Sequence, residues 1–500
     1  MSAATDRNVR KGSTRQLFVR SIRAFFNVIG KPSTPQTCRD TSMRVMTLRK
    51  TPGRRFFPLI FLSLGLAGCA AYRPQPINPA ATAAALEARS LNDPGLMKFL
   101  QKADPTGHGW TLERLTLVGL YERPDILIAE DQKLIAESSL QTATTLPNPT
   151  LSLTPTYNAT NLMPSPWKIG PIFNFMLSSL AERPALMQAA QAHLDAAEQA
   201  LPIAAWMVRS QVRTAMLNLW TARQSEALDM QAHALAQQSV ALITARVNAG
   251  QMSEADQNTA ILTAGQSALV EAAATRRVAI ARAQLAKAIG LPTTSLTNVK
   301  ISFAGFEHPE WPTDIKKLQE NALTSRPDIQ VALDNYAAVE AQLRLAILQQ
   351  YPGISIGPGY EYDQGANKYL LSLSISLPIF NQNQGGIAKA FAARAVAGAQ
   401  FLSVQQSALD SIDQAVANEQ ASATEVKAAD ALLKSVRVQK NRLDQQYNGG
   451  AIGKLRLTGG QQALVQTELG AVSATQHQDE AIGSLEDALY HPFIGVGPRS

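Results

Sequence analysis

Only two cysteines occur in 500 residues, and both lie early: Cys38 inside a basic leader and Cys69 at the end of an apolar run. No disulfide framework or thiolate zinc site can be built downstream of them. The six histidines are scattered without HxxxH or HExxH spacing, and there is no P-loop and no Gly-x-Ser-x-Gly elbow. Metal-assisted hydrolysis, acyl transfer and nucleotide-driven work therefore lack their residues, no cofactor is implied, and any energy must come from a partner. His193 and His233 read as surface residues of a helix. Basic charge is also scarce where it would count. Thirteen of the 46 Lys and Arg, but only two of the 39 Asp and Glu, precede Cys69, leaving 33 bases against 37 acids beyond it. A mildly acidic body behind a basic leader excludes nucleic acid as a partner.

The last absence is proline, which is missing from Gly386 to Asn448. Ala, Gln, Val and Leu fill that stretch, and Phe391, Val396, Phe401, Val404, Ala408 and Ile412 recur at three- to five-residue steps. This predicts one uninterrupted helix with a single apolar stripe, roughly 90 Å long at 1.5 Å per residue. Such a helix needs partners along its length, and taken alone it would suit a coiled-coil rod equally well.

The leader carries the first specific signal. Arg54 and Arg55 precede the apolar run Phe56 to Leu66, which is too short for a stable transmembrane helix, and Leu66-Ala67-Gly68-Cys69 follows. This resembles a bacterial lipoprotein signal with its lipobox, and the resemblance implies cleavage before Cys69, acylation of that cysteine and, with Ala70 behind it, sorting to the outer membrane. A signal of this kind belongs near the start, so translation from Met43 or Met46 is expected. Residues 1–68 are leader, and 69–109 an Ala- and Pro-rich arm, mostly extended, with one short helix near Ala80 to Ala88.

From Trp110 the chain states one pattern twice, over 110–292 and 314–492, with a loose linker at 293–313 and a tail at 493–500. Arg123-Pro124-Asp125 and Arg326-Pro327-Asp328 each open a helix, with proline where no helix hydrogen bond is lost and an acid in the first turn. Each helix stops near a proline, Pro147 or Pro352. Two alternating segments follow. In the second copy Ile354, Ile356, Tyr360 and Tyr362 form one, and Tyr369, Leu371, Leu373, Ile375, Leu377 and Ile379 the other. In the first copy Leu151 and Leu153 precede Ile169, Phe173, Phe175 and Leu177, across the polar loop Asn158 to Pro166. Period two means strand, and about ten residues is the length of a tilted barrel stave. A long helix comes next, from about Glu182 in the first copy, where Pro202 should bend it. The long helices end at Asn248-Ala249-Gly250 and Asn448-Gly449-Gly450, and shorter helices return to Pro292 and Pro492.

Lengths decide the architecture. Helices of roughly 23 and 38 residues sum to about 90 Å, so two short helices stacked end to end would run beside one long one. Each copy then gives a two-helix rod with a hairpin at one end and a glycine turn at the other. Four strands cannot close a barrel and open edges cannot survive in lipid, so the chain must oligomerise.

A lipobox followed by RPD helix, paired strands, giant helix and N-x-G turn, the last four in this order and twice over, resembles the outer membrane efflux protein family, also called TolC-like, in its lipoprotein branch serving RND exporters. The resemblance covers about Trp110 to Pro492. It implies an α+β membrane protein, a homotrimer forming a 12-stranded β-barrel continued by an α-helical periplasmic tunnel. It further implies a non-enzymatic duct that takes metal ions or small toxic compounds from an inner-membrane RND pump through a periplasmic adaptor. The turns Asn248-Ala249-Gly250-Gln251-Met252-Ser253 and Asn448-Gly449-Gly450-Ala451-Ile452-Gly453 resemble the adaptor-docking tip. The acidic ring that family members can carry past the second tip is missing, since Lys454-Leu455-Arg456-Leu457-Thr458-Gly459 holds no acid. Glu254 and Asp256 supply acids at the first tip, leaving Asp256 and Arg456 as a candidate gate or a solvated salt bridge. A lipid-anchored periplasmic coiled-coil adaptor is the alternative reading, and the membrane-length strands argue against it.

Overall fold

A computed structural model describes residues 72–105, 107, 109–160, 164–307 and 315–493. Cys69, Met43 and Met46 lie outside the described residues, as do 308–313 of the linker and 494–500 of the tail.

Residues up to Gly107 form one unit and those from His108 onward another. Among its described residues the first holds two helices. Helix α1 (Pro79–Glu87) starts on Asn78, whose side chain accepts from the Ala80 and Ala81 amides, with proline at its first position. Helix α2 (Pro94–Ala103) is capped in the same way by Asp93. The arm is thus less extended than expected, because the signal for α2 is a cap and ten residues, too short to show a period.

The second unit is the duplicated rod. The first repeat runs α3 (Leu112–Glu122), α4 (Pro124–Thr144), β1 (Thr150–Leu153), β2 (Thr156–Tyr157), β3 (Trp167–Ile169), β4 (Pro171–Met176), α5 (Ser178–Asn248) and α6 (Glu254–Ile289). Helix α7 (Ala304–Glu307) lies in the linker, and the second repeat runs α8 (Ile315–Ser325), α9 (Pro327–Leu348), β5 (Ile354–Asp363), β6 (Ala366–Ile375), α10 (Gln384–Asn448) and α11 (Lys454–Leu489). Among the described linker residues, Thr293–Leu296 makes a 3-10 turn and Trp110 bridges to Ile301. The long helices hold 71 and 65 residues, about 107 and 98 Å. Helix α5 continues unbroken through Pro184 and Pro202, so Pro202 does not end it.

Helix lengths agree with the end-to-end stacking. Helices α9 and α11 hold 22 and 36 residues, about 87 Å together, and both pack along α10. Small residues line part of the rod's core, beside larger ones such as Met216, Leu219 and Leu285. Ala185, Ala189, Ala192 and Ala196 are buried on α5, and Ala408, Ile412 and Ala415 on α10. Small side chains let long helices run close together over many turns.

Candidate functional site

The element expected to face a membrane is a sheet. Strand β1 pairs β4, β2 pairs β3, both β3 and β4 pair β5, and β5 pairs β6, all antiparallel. The first-repeat staves are therefore two broken strands, 150–157 and 167–176, and the second-repeat staves two unbroken ones of ten residues. Leu177 caps α5, and Leu377 and Ile379 lie past the end of β6, so these three residues expected in strands are not in them.

Register sorts the two faces. Leu151 opposes Phe173, Phe175 opposes Ile356, Ile356 opposes Leu373, and Tyr360 opposes Tyr369. These residues, with Leu153, Leu371 and Ile375, share one face by the two-residue period. Tyr369 is 87%, Leu371 68% and Leu373 62% exposed, so nothing among the described residues covers this belt. The opposite face carries Ser152, Asn174, Gly357, Ser372 and Ser374, with the Asn174 amide donating to Ser152 Oγ at 3.1 Å. Apolar outside and polar inside is the pattern of a lipid-embedded barrel wall, and at about 3.4 Å per residue a ten-residue stave is about 34 Å long. The hairpin ends are polar: Lys168 pairs Glu361 at 3.2 Å and Tyr360 Oη donates to Asn367 at 2.6 Å.

Within the rod, where the two short helices of each repeat meet end to end, sits a pair of arginine joints. The Arg326 guanidinium pairs with Asp328 at 2.7 Å and donates to the carbonyl of Ala488 at 2.6 Å. In the first repeat Arg123 pairs with Asp125 and donates to the Ala288 carbonyl at 3.3 Å. Each arginine thus joins the start of one short helix to the end of the other. It satisfies a terminal carbonyl and sets positive charge at the negative end of the helix dipole. The RPD signature, read from sequence as a helix start, is equally the fastener that makes two short helices act as one.

A charged cluster joins the repeats. Arg209 on α5 donates to Glu486 on α11 at 2.9 Å, and Arg213 to Glu486 and Asp487 at 2.6 Å each. Ser210 Oγ and Trp206 Nε1 also donate to Asp487, at 2.6 and 2.9 Å. Glu486, Arg209 and Arg213 are buried. Burial opposes the Arg213 charge, but Glu486 and Asp487 outweigh it and raise the pKa above its ordinary value. Sequence reasoning missed this cluster, since arginines four apart on a helix look like a solvated face.

The tips form two matching turns. Gly250 donates to the Val247 carbonyl at 2.9 Å and Gln251 to that of Arg246 at 2.8 Å. Gly450 and Ala451 repeat the pattern on Tyr447 and Gln446 at 3.0 and 2.8 Å. Gly250 and Gly450 have φ of 70° and 72°, the left-handed helix ending that glycine takes without a Cβ penalty. Gly449 differs: its φ of −82° matches the −86° of Ala249, so its backbone does not require glycine. Met252 and Ile452 are half-buried, and Asn248, Ala249, Gln251, Ser253, Asn448, Ala451 and Gly453 are exposed.

Asp256 and Arg456 are not paired in the chain. Asp256 instead closes a capping box with Ser253, accepting from its hydroxyl at 2.7 Å and its amide at 3.1 Å. The bond from the Ser253 side chain comes first in holding its carboxyl below the usual range. His193 lies 3.4 Å from Gln342, and His233 2.9 Å from Ser267, both as contacts between helices. Among the described residues no three His, Cys, Asp or Glu side chains converge.

Against known proteins, residues 318–489 match the sequence profile of the family described as outer membrane efflux protein. The fold resembles the outer membrane protein VceC of Vibrio cholerae at TM-score 0.63 and 18% identity, over 76% of this chain and 96% of that one. The Campylobacter jejuni CmeC outer membrane channel aligns at 0.64 and 15%, over 77% and 87%. The open state of the Neisseria gonorrhoeae MtrE outer membrane channel aligns at 0.55 and 18%, over 78% and 91%. No curated protein matches the sequence.

Proposed function

From a chain that carries an outer membrane efflux protein domain in its second repeat and has the fold of TolC-like outer-membrane channels throughout its rod and sheet, we propose that this protein is the exit duct of a tripartite RND-type export system. Three copies set their four-stave sheets edge to edge as a 12-stranded barrel, and their rods enclose a periplasmic tunnel. The tunnel passively conducts metal ions or small toxic compounds handed over by an inner-membrane pump through an adaptor seated on the two glycine tips. Cys69 is acylated and adds a lipid anchor to the barrel.

One observation carries the reading: a four-stave sheet with one apolar face uncovered and two edges unpaired among the described residues, continuous with a rod about 100 Å long. Unpaired edges cannot persist in hydrocarbon, whereas copies of the same sheet joined edge to edge have none. The lipid-anchored adaptor reading leaves the apolar belt without a purpose.

The test is native mass together with single-channel recording of the detergent-purified chain reconstituted in planar bilayers. A trimer with a steady aqueous conductance is expected. A stable monomer, or a trimer that never conducts, would overturn the proposal.

A further inference from the structure

The arginine joints fix how the repeats correspond within the rod. Arg123 donates to Gln211 as well as to the Ala288 carbonyl, and Arg326 to Ser411 as well as to that of Ala488. The returning helices α6 and α11 both hold 36 residues, and the glycine turns stand at 250 and 450. Each residue of α5 or α6 from the joint to the tip therefore corresponds to the residue 200 later in α10 or α11.

One seam of this rod is closed within the chain. Helix α5 packs on α11, and Asp487 there receives Arg213, Ser210 and Trp206. The corresponding seam, α10 on α6, is not closed within the chain, since α10 packs on α8, α9 and α11. The residues at its corresponding positions are Lys287 for Asp487, Asp413 for Arg213 and Asp410 for Ser210, with Leu409 and Ala286 replacing the buried pair Arg209 and Glu486. The polarity is inverted, with the cation on the returning helix and two carboxylates on the long one. Lys287, Asp410 and Asp413 are all exposed. Asp410 accepts from Gln406 at 2.7 Å, and among the described residues neither Asp413 nor Lys287 makes an ion pair. Nearer the tip, where Gln462 meets Ser239 in the closed seam, the open one presents Leu262, 63% exposed.

We propose that the α10 face bearing Asp410 and Asp413 docks on α6 of a second copy of this chain, with Lys287 of that copy between the two carboxylates. This rests on the duct reading and specifies how its copies join. Inversion also keeps the seams from being exchanged. Arginine-bearing α5 laid on another copy's α6 would meet Lys287, and carboxylate-bearing α10 laid on another copy's α11 would meet Glu486 and Asp487. Like charge at close quarters excludes both mispairings.

The test uses the full-length protein in detergent at low salt, following oligomer dissociation by native mass. Lys287→Glu, and separately Asp410→Lys with Asp413→Lys, should speed dissociation about tenfold, and combining all three should restore most of the loss. Independently, Lys287→Cys with Asp413→Cys should oxidise to disulfides between chains, two thiols losing two electrons and two protons to copper phenanthroline and oxygen. Losses that simply add, or no disulfide between chains in an oligomer that still forms, would overturn this seam and leave the duct standing. A monomeric wild-type chain would overturn both.

Discussion

At the scale of single residues, Asp479 makes the most direct demand on pH. It lies on α11, 1% exposed, and its Oδ2 meets no hydrogen-bond partner among the described residues. Burial, with a smaller push from Glu480, raises its pKa to about 7. The folded chain thus holds this proton more tightly than the unfolded one. Stability is unaffected below about pH 4, falls as pH rises toward 7, and stays reduced above it. Asp479→Asn should therefore stabilise the protein at pH 8 by a few kcal/mol, with little effect at pH 4. Urea unfolding at the two pH values measures this, and an equal effect at both would show that the carboxyl is solvated. Some residue chemistry was legible in the sequence and some was not. Pro124 and Asp125 announce a helix start by local rules, whereas nothing near Arg123 points to a carbonyl 165 residues away.

At the scale of elements, the tips separate capping from docking. Glycine at 250 and 450 is needed for the turn itself, so a side chain there would cost about 1–2 kcal/mol in backbone strain alone. The informative positions are Ala249 and Gly449, where the backbone is ordinary and the surface open. Tryptophan at either should leave trimer yield normal while adaptor co-purification and export fall at least about tenfold, as expected of bulk at the centre of a contact. Tryptophan at exposed mid-helix sites should do neither. Normal export by both tip variants would show that the turns are only caps. Long elements were legible because period and length both speak over 60 residues. Helices α2, α3 and α8, of 10 or 11 residues, were not, being too short for periodicity to stand out from their loops.

At the scale of the whole molecule, length arithmetic was enough to foresee a rod of paired short helices beside long ones, and alternation enough to place the sheet at its end. The broken first-repeat staves were less visible, because only six residues, Pro171–Met176, form their longest run. The anchor proposed at Cys69 can be tested apart from the fold. Cys69→Ser should abolish metabolic labelling with palmitate while the oligomer still forms, since the barrel holds the membrane independently. Unmodified Cys69 in the mature wild-type protein would exclude the anchor.

The cluster between the repeats also imposes an order in time. Arg209 waits for Glu486, a partner 277 residues later in the chain. Until α11 has been made, the first repeat cannot bury Arg209 and Arg213 without leaving two guanidinium groups bare of counter-charge, at a cost of several kcal/mol. A half-made chain therefore cannot settle into its final packing, and its first two staves are not presented on a finished rod. The charge balance of the first repeat is therefore completed by the last turn of the last returning helix, and only in a chain that has been made whole.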